Sequence, residues 1–209
     1  MMNFKYYKAA PLIAIILLLA GAIDFLLQQF IVPLLMENGI EFLRAPGNAA
    51  IIGSFFILYD QYLWKIPFFN LLVKIPNING RYAGKIKYVF NAESCEKECI
   101  VEVKQTASKI KIQSYFSNED SEKTGSKSAI EEIQKAEDGF FDVYFFYQNT
   151  GSKLDGILDS HEGANKLRYF PGTKNKKAKL AGHYFTNRLK QTRGEIKVSF
   201  VSNKLKGEF

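Results

Sequence analysis

The sequence predicts two N-terminal transmembrane α-helices followed by an all-β domain, an eight-stranded up-and-down antiparallel β-barrel of lipocalin-like design. Three observations carry the prediction. Two apolar, charge-poor stretches lie in the first third of the 209-residue chain. The composition then breaks sharply near Pro76. Residues 1–76 hold five basic residues (Lys5, Lys8, Arg44, Lys65, Lys74) and four acidic ones (Asp24, Glu37, Glu41, Asp60), whereas residues 77–209 hold the other 23 basic and 17 acidic residues. From Asn79 onward the hydrophobic period changes from helical to two. The chain therefore divides into a transmembrane region (1–64), a membrane-proximal neck (65–78) and a β-domain (79–209).

Residues 9–23 (AAPLIAIILLLAGAI) carry no charge, and after Asp24 the run FLLQQFIVPLLM continues to Met36. A spanning helix needs roughly 20 apolar residues, so the first helix is expected over about 7–31. Asp24, Gln28 and Gln29 stand at i, i+4 and i+5, on one face. A polar face is costly in lipid and is expected to turn toward another helix or toward water. A cleavable signal peptide is the competing reading, with Lys5 and Lys8 as its basic region and Ala20-Gly21-Ala22 at the cleavage site. The return of the apolar run after Asp24 weighs against it.

Arg44 and Lys65 bound the second stretch, APGNAAIIGSFFILYDQYLW (45–64). Its one acid is Asp60, and Tyr59, Tyr62 and Trp64 at its end fit an interfacial aromatic belt. Lys5 and Lys8 precede the first span and Lys65 and Lys74 follow the second, while the loop between sets Arg44 against Glu37 and Glu41. The positive-inside rule then predicts a multi-pass protein with both termini cytoplasmic. The neck, KIPFFNLLVKIPNI, reads either as an interfacial turn lying on the membrane or as a hydrophobic linker packed under the domain that follows.

In NGRYAGKIKYVF (79–90), Tyr82, Gly84, Ile86, Tyr88 and Phe90 alternate with Arg81, Lys85 and Lys87, the pattern of a half-buried strand. Comparable runs recur at 99–105, 109–116, 126–133, 140–149, 161–170, 178–188 and 194–202, separated by turn residues such as Asp138-Gly139 and Pro171-Gly172. Eight short strands with hairpin-length connections suit an up-and-down barrel, which has no exposed edges. Its interior holds side chains or one small ligand. A β-sandwich is the alternative architecture.

The net charge of the β-domain favours anionic partners: lipid headgroups, nucleotides or nucleic acid. Cys95 and Cys99 lack the further ligands of a metal site, and the two histidines, His161 and His183, are remote from them; free thiols are the favoured state. No phosphate loop is present, since GTKNKK (172–177) lacks the closing Gly-Lys-Ser/Thr. No nucleophile stands beside either histidine, and Asp155, Asp159 and His161 read as loop decoration. No catalytic constellation or metal site emerges, and an enzyme is not expected. What the strands do offer is polar residues in inward register. Leu180, Gly182, Tyr184, Thr186 and Arg188 share one face, as do Phe141, Val143, Phe145, Tyr147 and Asn149, and also Cys99, Val101, Val103 and Gln105. The candidate ligand-binding set is Arg188, Thr186, Tyr184, Tyr147, Asn149 and Gln105. Arg188 is suited to pair with phosphate, and Tyr147 or Tyr184 to stack on a base.

Two N-terminal spans, a neck and a barrel opening on NGRYAG (79–84), together with QTASKIKI (105–112) and GHYFTNRLKQTRGEI (182–196), resemble the two-transmembrane, β-strand-rich effectors of bacterial CBASS anti-phage systems, the CD-NTase-associated protein 15 family. The resemblance covers the whole architecture. It implies that the barrel binds a cyclic dinucleotide made by a partner CD-NTase, that the chain becomes a homo-oligomer on activation among the lipids of the inner membrane, and that the membrane is disrupted to abort infection. It implies no cofactor and no DNA or RNA polymer as partner. A membrane-tethered module for a lipid or other small ligand, harmless to the membrane, is the alternative; its interior should be wholly apolar.

Overall fold

The charge-free run 9–23 has no polar stripe to set against water, and the structure leaves most of its sides open. This structure, a computed structural model, describes residues 4–39, 46–90, 93–117, 123–149, 161–187 and 191–209. These fall into two units: residues up to Lys74 with Thr106–Lys109, and Ile75–Gln105 with Ile110–Phe209.

In the first unit, α1 (Ala9–Leu26), a π-helical turn (Leu27–Ile31) and α2 (Val32–Glu37) form one continuous helix of 29 residues. At 1.5 Å per residue it is about 43 Å long. It is long and apolar enough to cross a membrane, and Leu18 on its surface is 72% exposed. The helix runs past the expected end at residue 31. Pro33, in the first turn of α2, has no N–H to offer the Gln29 carbonyl, and the ladder widens into a π turn there instead of stopping.

The second apolar helix, α3 (Pro46–Gln61), has 16 residues, about 24 Å, against a hydrocarbon core of about 30 Å. It is therefore shorter than the expected 45–64. Glu41 and Arg44, part of the charge argument for topology, lie outside the described residues. The expected aromatic belt is also changed: Tyr59 and Trp64 are each 1% exposed, and Tyr62 alone stays open. The cause is that the neck folds back on the N-terminus. The Tyr59 hydroxyl donates to the Phe69 carbonyl at 2.6 Å. The Lys8 N–H donates to the Leu72 carbonyl at 2.8 Å, and the Lys74 N–H to the Tyr6 carbonyl at 3.0 Å. The Tyr7 hydroxyl reaches Asp60 at 3.3 Å.

The second unit is a closed antiparallel barrel of β1 (Gly80–Phe90), β2 (Glu93–Gln105), β3 (Ile110–Ser117), β4 (Lys123–Lys135), β5 (Phe141–Asn149), β6 (His161–Phe170), β7 (Lys179–Thr186) and β8 (Arg193–Ser202), each paired with its neighbours in sequence. β1 also pairs with β8, Gly84 opposite Val198 and Ile86 opposite Ile196, which excludes the sandwich. β2 begins at Glu93, earlier than the apolar run at 99. In β4 an irregularity between Ser128 and Ile130 shifts the parity. Ser126 and Ser128 face inward, Ile130 is 71% exposed, and Ile133 is buried again.

The NGRYAG segment sets the closing seam. The Asn79 side-chain oxygen accepts the Gln105 N–H at 3.1 Å, and the Tyr82 hydroxyl donates to the Ile78 carbonyl at 2.9 Å. Gly80 has φ +141°, and a side chain there would strike the Phe200 ring. Arg81 pairs with Glu102 at 2.5 Å, both buried, and donates to the Glu208 carbonyl at 2.7 Å. Glu102 also accepts the N–H groups of Lys206 and Gly207 at 2.8 and 3.0 Å. Burial alone would push the Glu102 carboxyl up; the donors from Lys206, Arg81 and Gly207 outweigh it and hold the group below the usual carboxylate range. Cys95 and Cys99 are free thiols. Four residues apart on one strand they stand about 13 Å apart, too far for a disulfide; burial pushes the Cys99 thiol up.

Two stability predictions follow from these ion pairs. Arg81→Ala strands the Glu102 carboxylate in the seam, and loss of one partner of a buried pair costs about 3–5 kcal/mol; the thermal midpoint of the detergent-solubilised full chain should fall accordingly, and an unchanged midpoint would contradict the seam's role. Asp142 on β5 is 4% exposed and receives Arg168 Nε at 2.8 Å and Lys166 Nζ at 3.1 Å. The Arg168 hydrogen bond, with help from Lys166, lowers its carboxyl against the opposing effect of burial. A lowered carboxyl contributes stability above the ordinary carboxylate range and loses it as pH falls through its own lowered value. Asp142→Asn should therefore be less stable than wild type at neutral pH, and denaturation midpoints measured down through the acid range should converge.

Candidate functional site

The two ends of the barrel are filled differently. Toward the end where the chain enters β1, inward positions carry large apolar side chains. Val101, Val103, Ile112, Val143, Leu167 and Leu180 are none more than 2% exposed. Toward the other end, the inward positions of β3, β4 and β7 change to Ser114, Thr124, Ser126 and Thr186. These side chains are too short to meet across the barrel, and a cavity of about 250 Å³ remains.

Two tyrosines that should fill it lie along its wall instead. Tyr147 on β5 is in register with Gly163 on β6, and Tyr184 on β7 with Gly194 on β8. A Cβ at Gly163 would fall on the Tyr147 ring and hydroxyl, and one at Gly194 would come within 2.8 Å of the Tyr184 ring. Each ring thus lies across a glycine of the next strand. This covers the bare backbone and leaves the centre of the cavity open.

Around these rings the lining is polar. Ser114 and Ser126 face each other across β3 and β4. The His161 ring meets Tyr147 edge-on, with centroids 6.3 Å apart. Lys97, in the inward register of β2, lines the mouth with its Nζ 5.5 Å from the Tyr88 ring. Thr186 and Thr192 close the β7–β8 connection. Their hydroxyls are 2.9 Å apart, and the Thr192 N–H donates to Thr186 Oγ1 at 3.0 Å. Asn165, 7% exposed, projects into the cavity from β6, and its Oδ1 has no hydrogen-bond partner among the described residues. Aromatic faces, neutral hydrogen-bonding groups and a lysine at the mouth suit a planar, polar, anionic ligand.

Of the residues singled out from the sequence, Tyr147, Asn149, Tyr184 and Thr186 line this one cavity. Gln105 does not reach it. It faces inward as expected, but at the opposite end, where its Oε1 accepts the Ile78 N–H at 2.8 Å and its Nε2 donates to the Pro76 carbonyl at 2.9 Å. It ties the neck to the sheet, and both of its polar atoms are occupied. Arg188 lies outside the described residues, as do Asp155 and Asp159. In the first unit Asp24, Gln28 and Gln29 are exposed, and Asp24 lies 3.5 Å from the side-chain nitrogen of Asn48 on α3.

Sequence reasoning missed Lys97, His161, Asn165, Ser114, Ser126 and Thr192. For Lys97 a signal existed: the alternation Gln105, Val103, Val101, Cys99 continues backward to Lys97. The segment ESCEKE, polar on both faces, hid it. On β6 the inward set is His161, Gly163, Asn165 and Leu167, and with a single apolar member the alternation does not say which face points inward.

The family model described as Cap15, cyclic dinucleotide receptor domain, matches residues 73–199, a span that takes in the neck's last residues and nearly all of the barrel. No curated protein matches the chain.

Proposed function

The chain belongs to the Cap15 cyclic dinucleotide receptor family, and we propose that it is a membrane-embedded CBASS effector whose barrel binds a cyclic dinucleotide and, once liganded, assembles and disrupts the inner membrane. The observation that carries this reading is the asymmetric barrel: packed solid at one end, hollow and polar at the other, with Tyr147 and Tyr184 laid against glycines. A lipid carrier needs an apolar interior, whereas serines, asparagines and a lysine favour a nucleotide. Tyr147 and Tyr184 supply faces for the bases, Asn149 and Thr186 polar contacts near the mouth, and Lys97 and Arg188 charge for the phosphates. The role of the barrel is recognition rather than catalysis.

The proposed division of labour is spans within 1–64, a neck at 65–78 and the sensing barrel at 79–209. α3 serves as the second span. Its shortness is accommodated by local thinning of the bilayer, and lysines outside both spans favour cytoplasmic termini. One pair of helices is too small to enclose an aqueous path, so disruption requires several copies. Asp24, Gln28 and Gln29 form the costly face that assembly would bury or wet.

The test is dye release from vesicles reconstituted with the full chain, with and without cyclic dinucleotides made from each of the four common nucleobases. Release should require ligand, rise steeply with protein density, and vanish in a chain lacking residues 1–64. Release without ligand, or liganded protein that leaves vesicles intact at every density, would contradict the proposal.

A further inference from the structure

The outer wall of the barrel is apolar at one level. Outward positions on the strands are mostly polar, yet Ile130 on β4, Phe146 on β5, Ala164 on β6 and Phe185 on β7 stand in register with one another. Ile130 is 71%, Phe146 42% and Phe185 58% exposed. We propose that this row is the surface through which one barrel docks on a second copy of the chain, about a two-fold axis running along β5 and β6. This rests on the reading above that the chain spans a membrane and assembles there.

The row is bounded on both sides. The next outward residues toward the mouth are Lys127, Gln148 and Glu162, and those away from it are Glu132, Tyr144, Lys166 and His183. An exposed apolar patch rimmed by polar groups marks an interaction surface. One member is there because of a backbone device. Strict alternation from Ser126 and Ser128 would turn position 130 into the barrel, and the irregularity between Ser128 and Ile130 turns the isoleucine out instead. That forgoes the burial of a large aliphatic side chain unless something covers it. The row also backs the cavity, since Phe146 adjoins Tyr147 and Phe185 adjoins Tyr184.

The relief of the row identifies the occupant. Ala164 between two phenylalanines leaves a notch, and Phe146 beside it is a knob of the size to fill one. A two-fold axis between β5 and β6, parallel to the strands, sets Phe146 of each copy over Ala164 of the other, and Ile130 over Phe185. On the flanks Glu132 then meets the second copy's His183, Glu162 its Gln148 and Lys166 its Tyr144, so no like charges oppose one another there. An axis along the row would stack Phe146 on Phe146 and leave Ala164 facing Ala164 across a void. An axis along the strands also keeps the entry ends of both β1 strands on one side, as two chains anchored in one bilayer require. The row is small beside the roughly 20–30 residues a side of a stable interface. The contact therefore forms when the membrane concentrates the chains.

The experiment is disulfide crosslinking of the full chain in vesicles at rising protein density, without added nucleotide and in a Cys95→Ser background. Ile130→Cys and Phe185→Cys in one chain stand three strands apart, about 14 Å, too far to join each other. A bond between those two positions therefore links two copies. The double variant should give linked dimers as density rises. Either single variant should give at least about tenfold less, because the axis holds like positions about 14 Å apart across the strands. Adding Ala164→Arg, which fills the notch with a charge on the outer wall, should lower the dimer yield at least about tenfold and leave the thermal midpoint unchanged. Equal yields from the single variants, or yields that survive Ala164→Arg, would overturn the proposal. So would thiols that stay unlinked at every density, and unlinked thiols that also resist a water-soluble maleimide would assign the face to lipid. Unlinked thiols beside density-dependent dye release would strike this surface alone, whereas the absence of both would strike the assembly reading with it.

Discussion

Closure of β1 onto β8 is the constraint on which the receptor half depends. A sheet of eight strands left open would expose two edges and have no inside. Once β1 pairs with both β2 and β8, each alternate residue is committed to an enclosed volume that must be filled or used. Arg81 on β1 and Glu102 on the next strand, β2, lie beside that seam and bind residues 206–208, which follow β8. The C-terminal tail thereby becomes part of the closure, and the charges that hold it are buried with their hydrogen bonds satisfied. This gives a structural meaning to NGRYAG: Asn79, Gly80, Arg81 and Tyr82 each make a contact that fixes where β1 begins.

Within that closed frame the cavity arises by leaving things out. Apolar residues of ordinary size fill one end and are buried there. At the other end short hydroxyl side chains replace them, and glycines 163 and 194 let two tyrosines lie flat. The same residues that hollow the barrel also give it chemistry, because a serine in place of an isoleucine both opens space and brings a hydrogen-bonding group. Asn165, whose Oδ1 is one of two buried side-chain polar atoms without a partner among the described residues, stands where the hollow meets the packed end.

Much of this was legible in the sequence. All eight strands were, because period-two alternation is strong when one face is buried, although β2 and β4 run beyond the limits expected for them. The inward faces of β5 and β7 were also legible, and with them Tyr147, Asn149, Tyr184 and Thr186. What escaped notice depended on distant parts of the chain. Gln105 faces inward like a ligand residue, yet Pro76 and Ile78, remote in sequence, occupy its amide. Lys97 lies in a stretch polar on both faces, and β6 carries too few apolar residues to show its parity. Tyr59 and Trp64 resembled an interfacial belt until the neck folded back on Tyr6 and Lys8. The first helix outran its expected end because a proline in a helix's first turn is tolerated when a π turn absorbs the missing bond.

The central claim is that the ligand enters the hollow end of the barrel. Photo-crosslinking tests it most directly, using the full chain in detergent, a cyclic dinucleotide bearing a short photoreactive azide on one base, and peptide mapping of the adducts. The account predicts adducts on inward residues, Tyr147 and Tyr184 foremost, that disappear when unlabelled dinucleotide competes. Adducts confined to outward neighbours on the same strands, such as Phe146 and Phe185, would place the ligand on the outer wall and contradict it.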